Sequence, residues 1–381
     1  MEKPANGLKF LAELRRELGE KKPNFSDIST FLESKARKNG VPFSGIFELT
    51  PLCNLSCRMC YVHLMLDQLN GHHVLSVDTW KDLMYQAWKE GMVHATLTGG
   101  ECLAYPGFDE LFLYLHSLGC QVRVLTNGVL LDEKRIQFFL EHKPSEIQIT
   151  LYGWNNDVYE RVTGQRMFKT VSENIRMAVE AGLPVRVSVT PSVYLGEDVL
   201  QTLRVAKSLC SNLDYSPGLI APRKETGRSE DQINPDLDLY IRTYRLFNEL
   251  NGHEIRTISP ELLPAPGGPS HTCTECGLNC AAGRSMFVIN WKGILQGCIR
   301  LDMTQGYPLK DGFKAAWTYV NQWAVNFPKV PECEGCAYEA VCGRCVGDIL
   351  LYAEPGKQPV EICERTMLLV SNGIRKIPDC D

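Results

Sequence analysis

Residues 45–60 read Gly-Ile-Phe-Glu-Leu-Thr-Pro-Leu-Cys-Asn-Leu-Ser-Cys-Arg-Met-Cys. The run from residue 45 to residue 49 is mostly apolar and predicts a β-strand. Three cysteines follow it closely, at Cys53, Cys57 and Cys60. Because α/β folds place their chemistry on loops at the carboxyl ends of strands, this stretch predicts three thiols at a metal or cofactor site.

The strand at 45–49 is the first of a repeating series. The pattern predicts further strands near residues 93–97, 121–126, 146–151, 185–190 and 213–217. It predicts intervening helices near residues 77–90, 108–118, 132–141, 168–181 and 197–209. Alternating strands and helices require parallel strands joined by crossover helices. The predicted fold class is therefore α/β, with a parallel sheet or an incomplete barrel over residues 45–225.

The regions outside this repeat differ in composition. Residues 1–44 carry two short amphipathic patterns and predict a short helical N-terminal segment. Residues 226–269 predict a bridging helix near 236–250 and a linker that ends in Pro-Ala-Pro-Gly-Gly-Pro. Residues 270–381 are rich in cysteine and short of periodicity before a final helix near 364–373, which indicates a loop-dominated domain that folds around metals.

Composition narrows the function classes. Of the 381 residues, 44% are hydrophobic and 22% are charged, and a formal net charge of -5 gives no reason to expect a nucleic acid partner. The sequence has no apolar run of about 18 residues and no signal-peptide pattern, so we expect a cytoplasmic protein without a membrane partner. In that reducing compartment the 16 cysteines would not form structural disulfides, and metal binding becomes the leading explanation for them.

The spacing of the first three cysteines allows two kinds of metal site. Three thiolates can hold three irons of a [4Fe–4S] cube and leave the fourth iron open for a ligand. The alternative is a zinc site completed by His63, His72 or His73. The segment Thr-Gly-Gly-Glu at 98–101 favours the cube, because paired glycines expose backbone groups at a strand end and Glu101 supplies a carboxylate.

These features together resemble the radical S-adenosylmethionine (SAM) superfamily: Cys-x3-Cys-x2-Cys after the first strand, Gly-Gly-Glu after the second and Thr-Asn-Gly after the third. The resemblance covers about residues 43–225 and implies a partial (β/α)6 TIM-like barrel. It implies that the open iron of a cluster on Cys53, Cys57 and Cys60 binds the amine and carboxylate of SAM. It also implies cofactor contacts from Gly99, Gly100, Glu101, Thr126, Asn127, Thr150 and Arg161. One departure is Met59, where the family commonly has an aromatic residue before the last cysteine.

Nine further cysteines lie between residues 273 and 363, at spacings that fit a zinc ribbon poorly. Their order, with four residues between Gly293 and Cys298, resembles the SPASM extension, which carries two auxiliary [4Fe–4S] clusters. The resemblance implies an inner cluster on Cys280, Cys298, Cys345 and either Cys273 or Cys276. It implies an outer cluster on Cys333, Cys336, Cys342 and Cys363.

The resemblance implies an oxidoreductase that cleaves SAM reductively to a 5′-deoxyadenosyl radical. Auxiliary clusters are suitable acceptors for a further electron, so a net oxidation is expected. The predicted substrate is a peptide or protein side chain, crosslinked through a thioether or carbon–carbon bond during maturation of a ribosomally synthesised peptide. SAM and three [4Fe–4S] clusters are the implied cofactors, and a flavodoxin or ferredoxin is the implied electron donor.

Three other functions stay open. In anaerobic sulfatase-maturating enzymes, which make formylglycine, an aspartate base directly follows the second auxiliary-cluster cysteine. Here Ile299 follows Cys298, and Asp302 is close enough in the sequence to be a candidate substitute base, with an ordinary surface aspartate as the alternative. A radical enzyme with a small-molecule substrate is the second alternative, and a zinc-dependent binding module the third. The sequence does not specify the modified residue, the bond formed, its stereochemistry or the oligomeric state.

Overall fold

The computed structural model describes residues 25–69, 71–216, 236–253, 280–328 and 360–374, with the separate positions 223, 226, 278, 330, 333, 336, 338, 341–342, 345–347 and 357. A mainly parallel sheet forms its centre. The strands are β1 (Ser44–Glu48), β2 (His94–Thr98), β3 (Gln121–Thr126), β4 (Glu146–Thr150), β5 (Val185–Val189), β6 (Leu213–Tyr215), β7 (Met286–Ile289) and β8 (Leu295–Gln296). Their order in space is β6-β5-β4-β3-β2-β1-β7-β8, and only β7 and β8 pair antiparallel.

Helices join the strands. They are α1 (Phe25–Asn39), α2 (Val77–Lys89), α3 (Phe108–Ser117), α4 (Glu133–Glu141), α5 (Asn156–Thr163), α6 (Phe168–Glu180), α7 (Asp198–Leu209), α8 (Leu237–Leu250), α9 (Pro308–Asp311), α10 (Phe313–Val325) and α11 (Val360–Ser371). The prediction of an α/β fold with a partial barrel is confirmed, because β1 to β6 run parallel in chain order with helices between them. None of the helices in the described ranges is long and apolar enough to span a membrane.

The two faces of the sheet differ in polarity. Val122 and Val124 of β3 are buried in the apolar layer beneath the helices, whereas Arg123 between them points to the other face. On that inner face, the Arg123 Nε atom lies 2.7 Å from Glu146 Oε1 of β4. Arg186 of β5 donates to the other oxygen of the same carboxylate, also at 2.7 Å. The inner face of the barrel is therefore polar.

The C-terminal part of the chain extends the barrel sheet. Strand β7 pairs in parallel with β1, and Phe287 packs edge-on against Phe47 with 5.9 Å between ring centroids. Helix α10 follows, and its Trp317 Nε1 donates to the Gly40 carbonyl at 2.7 Å. Neither the β7–β8 pair nor α10 was among the predicted elements. The sheet continues across the boundary expected near residue 270, while the division into domains stays a prediction.

Candidate cluster and cofactor site

The three thiols lie on the loop that follows β1. Cys57 is buried, and Cys53 and Cys60 are partly buried. Cys53 Sγ accepts a hydrogen bond from Leu55 N at 3.4 Å, and Cys60 Sγ accepts one from His63 N at 3.3 Å. Burial raises the pKa of the Cys53 thiol to about 12. Backbone N–H groups of the loop therefore point at the sulfur atoms of Cys53 and Cys60. Because a buried thiol ionises only when a nearby cation compensates its charge, this environment suits thiolates bound to a metal.

Gly99 and Gly100, at the end of β2, lie directly against the start of this loop. Gly100 N donates to Thr50 O at 2.6 Å, and Glu101 N donates to Leu52 O at 3.0 Å. A Cβ on Gly100 would lie 2.3 Å from Leu52 O, and a Cβ on Gly99 would lie 2.4 Å from Thr50 O. Gly99 also has a φ of 141°, which favours glycine. The glycine pair lets two strand ends touch and so fixes where the cysteine loop begins.

The carboxylate of Glu101 joins the ends of β2 and β3, and the residue is only 1% exposed. Its Oε1 accepts from Leu103 N at 3.0 Å and from Thr126 Oγ1 at 2.8 Å, and its Oε2 accepts from Asn127 N at 2.8 Å. Burial raises its pKa, although these hydrogen bonds oppose the shift. Within the described part of the chain, no cationic side chain pairs with this carboxylate.

Asn127 carries the connection from β3 to the cysteine loop. Its Nδ2 donates to Asn54 Oδ1 at 2.7 Å and to Cys53 Sγ at 3.5 Å. Its Oδ1 accepts from Val129 N at 3.0 Å, which fixes the side-chain amide in that orientation. Glu101 and Asn127 therefore link the ends of β2 and β3 to the first thiol.

Helix α5 provides another support for the loop, which the sequence analysis missed. Ser56 N donates to Thr163 O, and Arg58 N donates to Val162 O, both at 3.0 Å. These carbonyls belong to the last turn of α5, where backbone acceptors have no partner within the helix. The cysteine loop thus caps this helix, and the helix in turn holds the loop.

The end of β4 also faces the thiols. Thr150, a predicted cofactor contact, is the last residue of β4 and is partly buried on the inner side of the sheet. Tyr152 follows it, and its phenol lies near Cys57, Cys60 and Cys53. Burial first, and then these thiols, raise its pKa well above the ordinary value. Tyr152 is a site residue that the sequence analysis did not single out, although it follows a strand at the same edge of the sheet.

Arg161, a predicted cofactor contact, is bound to the loop that follows β5. Its Nε donates to Tyr194 O at 2.9 Å and its Nη2 donates to Leu195 O at 3.2 Å. The guanidinium also pairs with Asp198. The ring of Tyr194 in turn lies 4.4 Å from the guanidinium carbon of Arg58 in the cysteine loop. Arg161 thus holds the loop after β5, and that loop contacts the cysteine loop.

The three histidines considered for a zinc site lie in separate environments. His63 is buried, and His72 packs edge-on against Trp291 with 6.0 Å between ring centroids. His73 is exposed. In the described ranges, no three Cys, His, Asp or Glu side chains converge closely enough to hold a single metal ion.

Three members of the predicted inner auxiliary set, Cys280, Cys298 and Cys345, are among the described residues. Cys298 follows β8, and burial raises the pKa of its thiol, with Cys345 and Cys280 adding to the shift because they lie nearby. Cys273 and Cys276 lie outside the described residues, so the fourth member of this set stays a prediction.

Contacts also connect members of the predicted outer set. Cys336 N donates to Cys333 O at 3.3 Å, which places these two residues on one turn. Thr366 Oγ1 of α11 donates to Cys342 Sγ at 3.6 Å. Because Thr366 and Cys363 are one helical turn apart, Cys342 lies beside the helix face that carries Cys363.

Asp302, considered as a substitute base, is an exposed turn residue. Its backbone carbonyl accepts from Gln305 Nε2 at 2.8 Å. No contact described for its carboxylate joins it to the thiols, and its role as a base stays a prediction.

Comparison with known proteins finds similarity over the central part of the chain. Residues 47–209 match the family described as the Radical SAM superfamily. The chain is 24% identical over 329 residues to the antilisterial bacteriocin subtilosin biosynthesis protein AlbA of Bacillus subtilis, covering 83% of this chain and 70% of AlbA. It is 30% identical over 154 residues to the sporulation killing factor maturation protein SkfB of the same organism, covering 39% of this chain and 36% of SkfB.

A solved structure shares the fold over most of the chain. Streptococcus suis SuiB bound to S-adenosylmethionine superposes with a TM-score of 0.67 at 15% sequence identity, covering 94% of this chain and 87% of SuiB. At that identity the match concerns the fold alone.

Proposed function

We propose that this chain, a radical SAM enzyme by its residues 47–209, oxidatively modifies a side chain of a peptide or protein. The observation that carries the proposal is the arrangement around the cysteine loop. A buried carboxylate at Glu101, the glycine pair before it and the amide of Asn127 all contact the loop or its neighbours.

The donor set fits a [4Fe–4S] cluster with an open iron. Cys53, Cys57 and Cys60 are three free cysteines on one loop, and cysteine sulfur is the ligand that such clusters use. Leu55 N and Asn127 Nδ2 both donate to Cys53 Sγ. Hydrogen bonds of this kind orient cluster ligands and tune the reduction potential.

Glu101 fits the amine of SAM. The carboxylate is buried, its pKa is raised by that burial, and no described cation offsets its charge. An ammonium group bound beside Glu101 would compensate for the hydration that the buried carboxylate has lost. Hydrogen bonds from Thr126 and Asn127 would hold the carboxylate in position for this contact. Gly99 and Gly100 would let the ligand approach the backbone closely.

When held by Cys53, Cys57 and Cys60 and by the Glu101 turn, the cluster and SAM would supply the difficult chemistry, a one-electron reductive cleavage of the SAM C5′–S bond that permits hydrogen abstraction from the substrate. The protein residues fix the loop, exclude water and orient the reactants. The two auxiliary clusters belong to the proposal, on the cysteines from 273 to 363, and they would accept the second electron of a net oxidation. The proposal also includes a flavodoxin or ferredoxin as the electron donor and a cytoplasmic location.

The substrate we propose is a ribosomally synthesised peptide that receives a crosslink. The names of AlbA and SkfB, a bacteriocin biosynthesis protein and a killing-factor maturation protein, support this substrate class. The sulfatase-maturating alternative is less well supported, because Ile299 stands where that branch has its aspartate and Asp302 is exposed.

The test uses the anaerobically reconstituted full chain with SAM, a chemical reductant and peptides encoded beside the gene. The expected product is a peptide that has lost two hydrogen atoms and that fragments as a crosslinked ring in tandem mass spectrometry. Formation of an aldehyde from a single cysteine or serine would favour sulfatase maturation instead. Turnover of a small molecule, with no peptide modified, would overturn the proposed substrate class.

A further inference from the structure

A buried ion pair lies on the inner face of the barrel beside the cysteine loop. Phe47 packs on Trp80 of α2 on the helix-covered side, so Glu48, the next residue of β1, faces inward. The Glu48 side chain has no exposed surface, and that of Arg223 is 12% exposed. Arg223 Nη2 donates a charge-assisted hydrogen bond to Glu48 Oε1 at 2.9 Å, and Nη1 lies 2.8 Å from Oε2 without hydrogen-bond geometry.

The same arginine contacts Tyr61, which directly follows Cys60. Tyr61 OH donates to Glu48 Oε1 at 3.0 Å, and the Arg223 guanidinium lies 5.3 Å from the centre of the tyrosine ring. Arg223 N donates to Tyr61 O at 3.1 Å. The side chain and the backbone of Arg223 therefore both hold Tyr61, the residue next to the predicted cluster ligand Cys60.

The Glu48–Arg223 contact also connects β1 with a residue that follows β6, although these two strands do not pair in the sheet. Arg223 follows β6, an edge strand, whereas Glu48 belongs to β1, with β2 to β5 lying between these two strands in the sheet. A second contact joins the same two regions: Gln68 Nε2 donates to Thr226 O at 3.4 Å. The chain after β6 is thus bound to the loop that follows the cysteines.

We propose that Arg223 is a positioning residue for the radical reaction. Through its ion pair with Glu48 it closes the inner side of the barrel beside the cysteine loop and holds Tyr61, and with it Cys60, in place. The inference rests on the proposed function, since a radical intermediate requires a rigid wall that excludes water and fixes the reacting groups.

The experiment compares the full-length, anaerobically reconstituted wild type with the variants Arg223→Gln, Glu48→Gln, Arg223→Lys and the double variant Glu48→Gln/Arg223→Gln. The matched control is Arg242→Gln, because Arg242 also pairs with carboxylates but is exposed. Amide hydrogen exchange is measured over residues 61–69. The EPR spectrum of the reduced cluster is recorded with and without SAM.

We expect exchange at residues 61–69 to be about tenfold faster or more in Arg223→Gln than in the control, because breaking a buried ion pair removes several contacts at once. The backbone N–H groups of His63, Leu64 and Gln68 donate to Cys60 Sγ, Pro51 O and Met65 O, so their exchange reports opening of this region. Adding SAM should give one EPR species in the wild type and in the control, but a mixture in Arg223→Gln. Arg223→Lys should restore part of the protection.

The double variant keeps the test valid if the single variants fold poorly, because it leaves no unpaired buried charge. Its exchange over residues 61–69 should be faster than in the control, since the Glu48–Arg223 contact is lost, but slower than in Arg223→Gln, which leaves the Glu48 carboxylate buried without its arginine. Exchange and EPR spectra of Arg223→Gln that equal those of Arg242→Gln would overturn the inference. If the wild type forms no 5′-deoxyadenosine, the proposed function fails, while the exchange comparison still decides whether Arg223 fixes this loop.

Discussion

At the scale of single residues, the glycine pair sets the position of the cysteine loop. We predict that Gly100→Ala lowers the iron bound after reconstitution and destabilises the chain by about 1–3 kcal/mol, because its Cβ would push on the Leu52 carbonyl. Iron content and chemical denaturation measure the two effects. The control is Gly182→Ala, which strains a left-handed turn in open space and should leave iron content unchanged. Equal iron content in both variants would contradict this account of the glycine pair.

Arg161 offers a second test at this scale. If it acts by holding the loop after β5, Arg161→Gln and Asp198→Asn should weaken SAM binding by a similar factor, below about tenfold, and the double variant should add little. Calorimetric titration of the reconstituted enzyme with SAM measures this. A loss of about a hundredfold in Arg161→Gln alone, with Asp198→Asn unaffected, would show that the guanidinium contacts the cofactor itself.

Much of the candidate site could be predicted because its motifs are local in sequence. The cysteine loop and the Gly-Gly-Glu turn each follow a predicted strand, and parallel strands bring their carboxyl ends to one edge. Tyr152, Arg223 and Glu48 could not be predicted in the same way. Their residue types are common, and their roles depend on contacts between positions far apart in the chain, such as the Glu48–Arg223 pair.

At the scale of elements, α1 docks on the barrel through a histidine. His94 of β2 lies 3.4 Å from Ser29 Oγ of α1 and packs edge-on against Phe43. Burial lowers its pKa below the ordinary value of 6.5, although nearby Glu33 opposes the shift. The folded protein therefore binds this proton less tightly than the unfolded chain does. The resulting stability is complete above pH 6.5 and is lost as the pH falls below it.

We predict that the amides of α1 exchange faster below about pH 6, after correction for the intrinsic pH dependence of exchange, while those of the central strands do not. His94→Gln should remove this pH dependence, because glutamine does not titrate. A wild-type profile parallel to that of the variant would contradict the prediction.

The predicted strands β1 to β6 match the structure because their apolar runs are regular and their turns are marked. Helix α5 was missed because it is short and mostly polar, although Asn155 caps its start and Gly164 ends it with a φ of 76°. Strand β7 was missed because its region was interpreted as metal-binding loops. Its signal was the apolar run at 286–289 followed by a turn at Gly293 with a φ of 79°.

At the scale of the whole molecule, the β7–β8 pair ties Cys298, a predicted ligand of the inner auxiliary cluster, to the barrel sheet. Cys298 follows β8, which pairs with β7, and β7 pairs with the strand that leads to Cys53. Because β8 runs antiparallel to β7, Cys298 lies near the amino end of β1, at the opposite end of the sheet from the cysteine loop. We predict that Cys298→Ala lowers bound iron by about four atoms per chain without abolishing SAM cleavage. Unchanged iron content would contradict the predicted inner cluster.

The most direct test of the central claim is 5′-deoxyadenosine formation by the reconstituted, chemically reduced chain supplied with SAM. We predict that the wild type binds about twelve irons and forms 5′-deoxyadenosine. The triple variant Cys53→Ala/Cys57→Ala/Cys60→Ala should keep about eight irons and form none. A wild type that leaves SAM intact, or a triple variant that still cleaves it, would contradict the claim that this loop carries the reacting cluster.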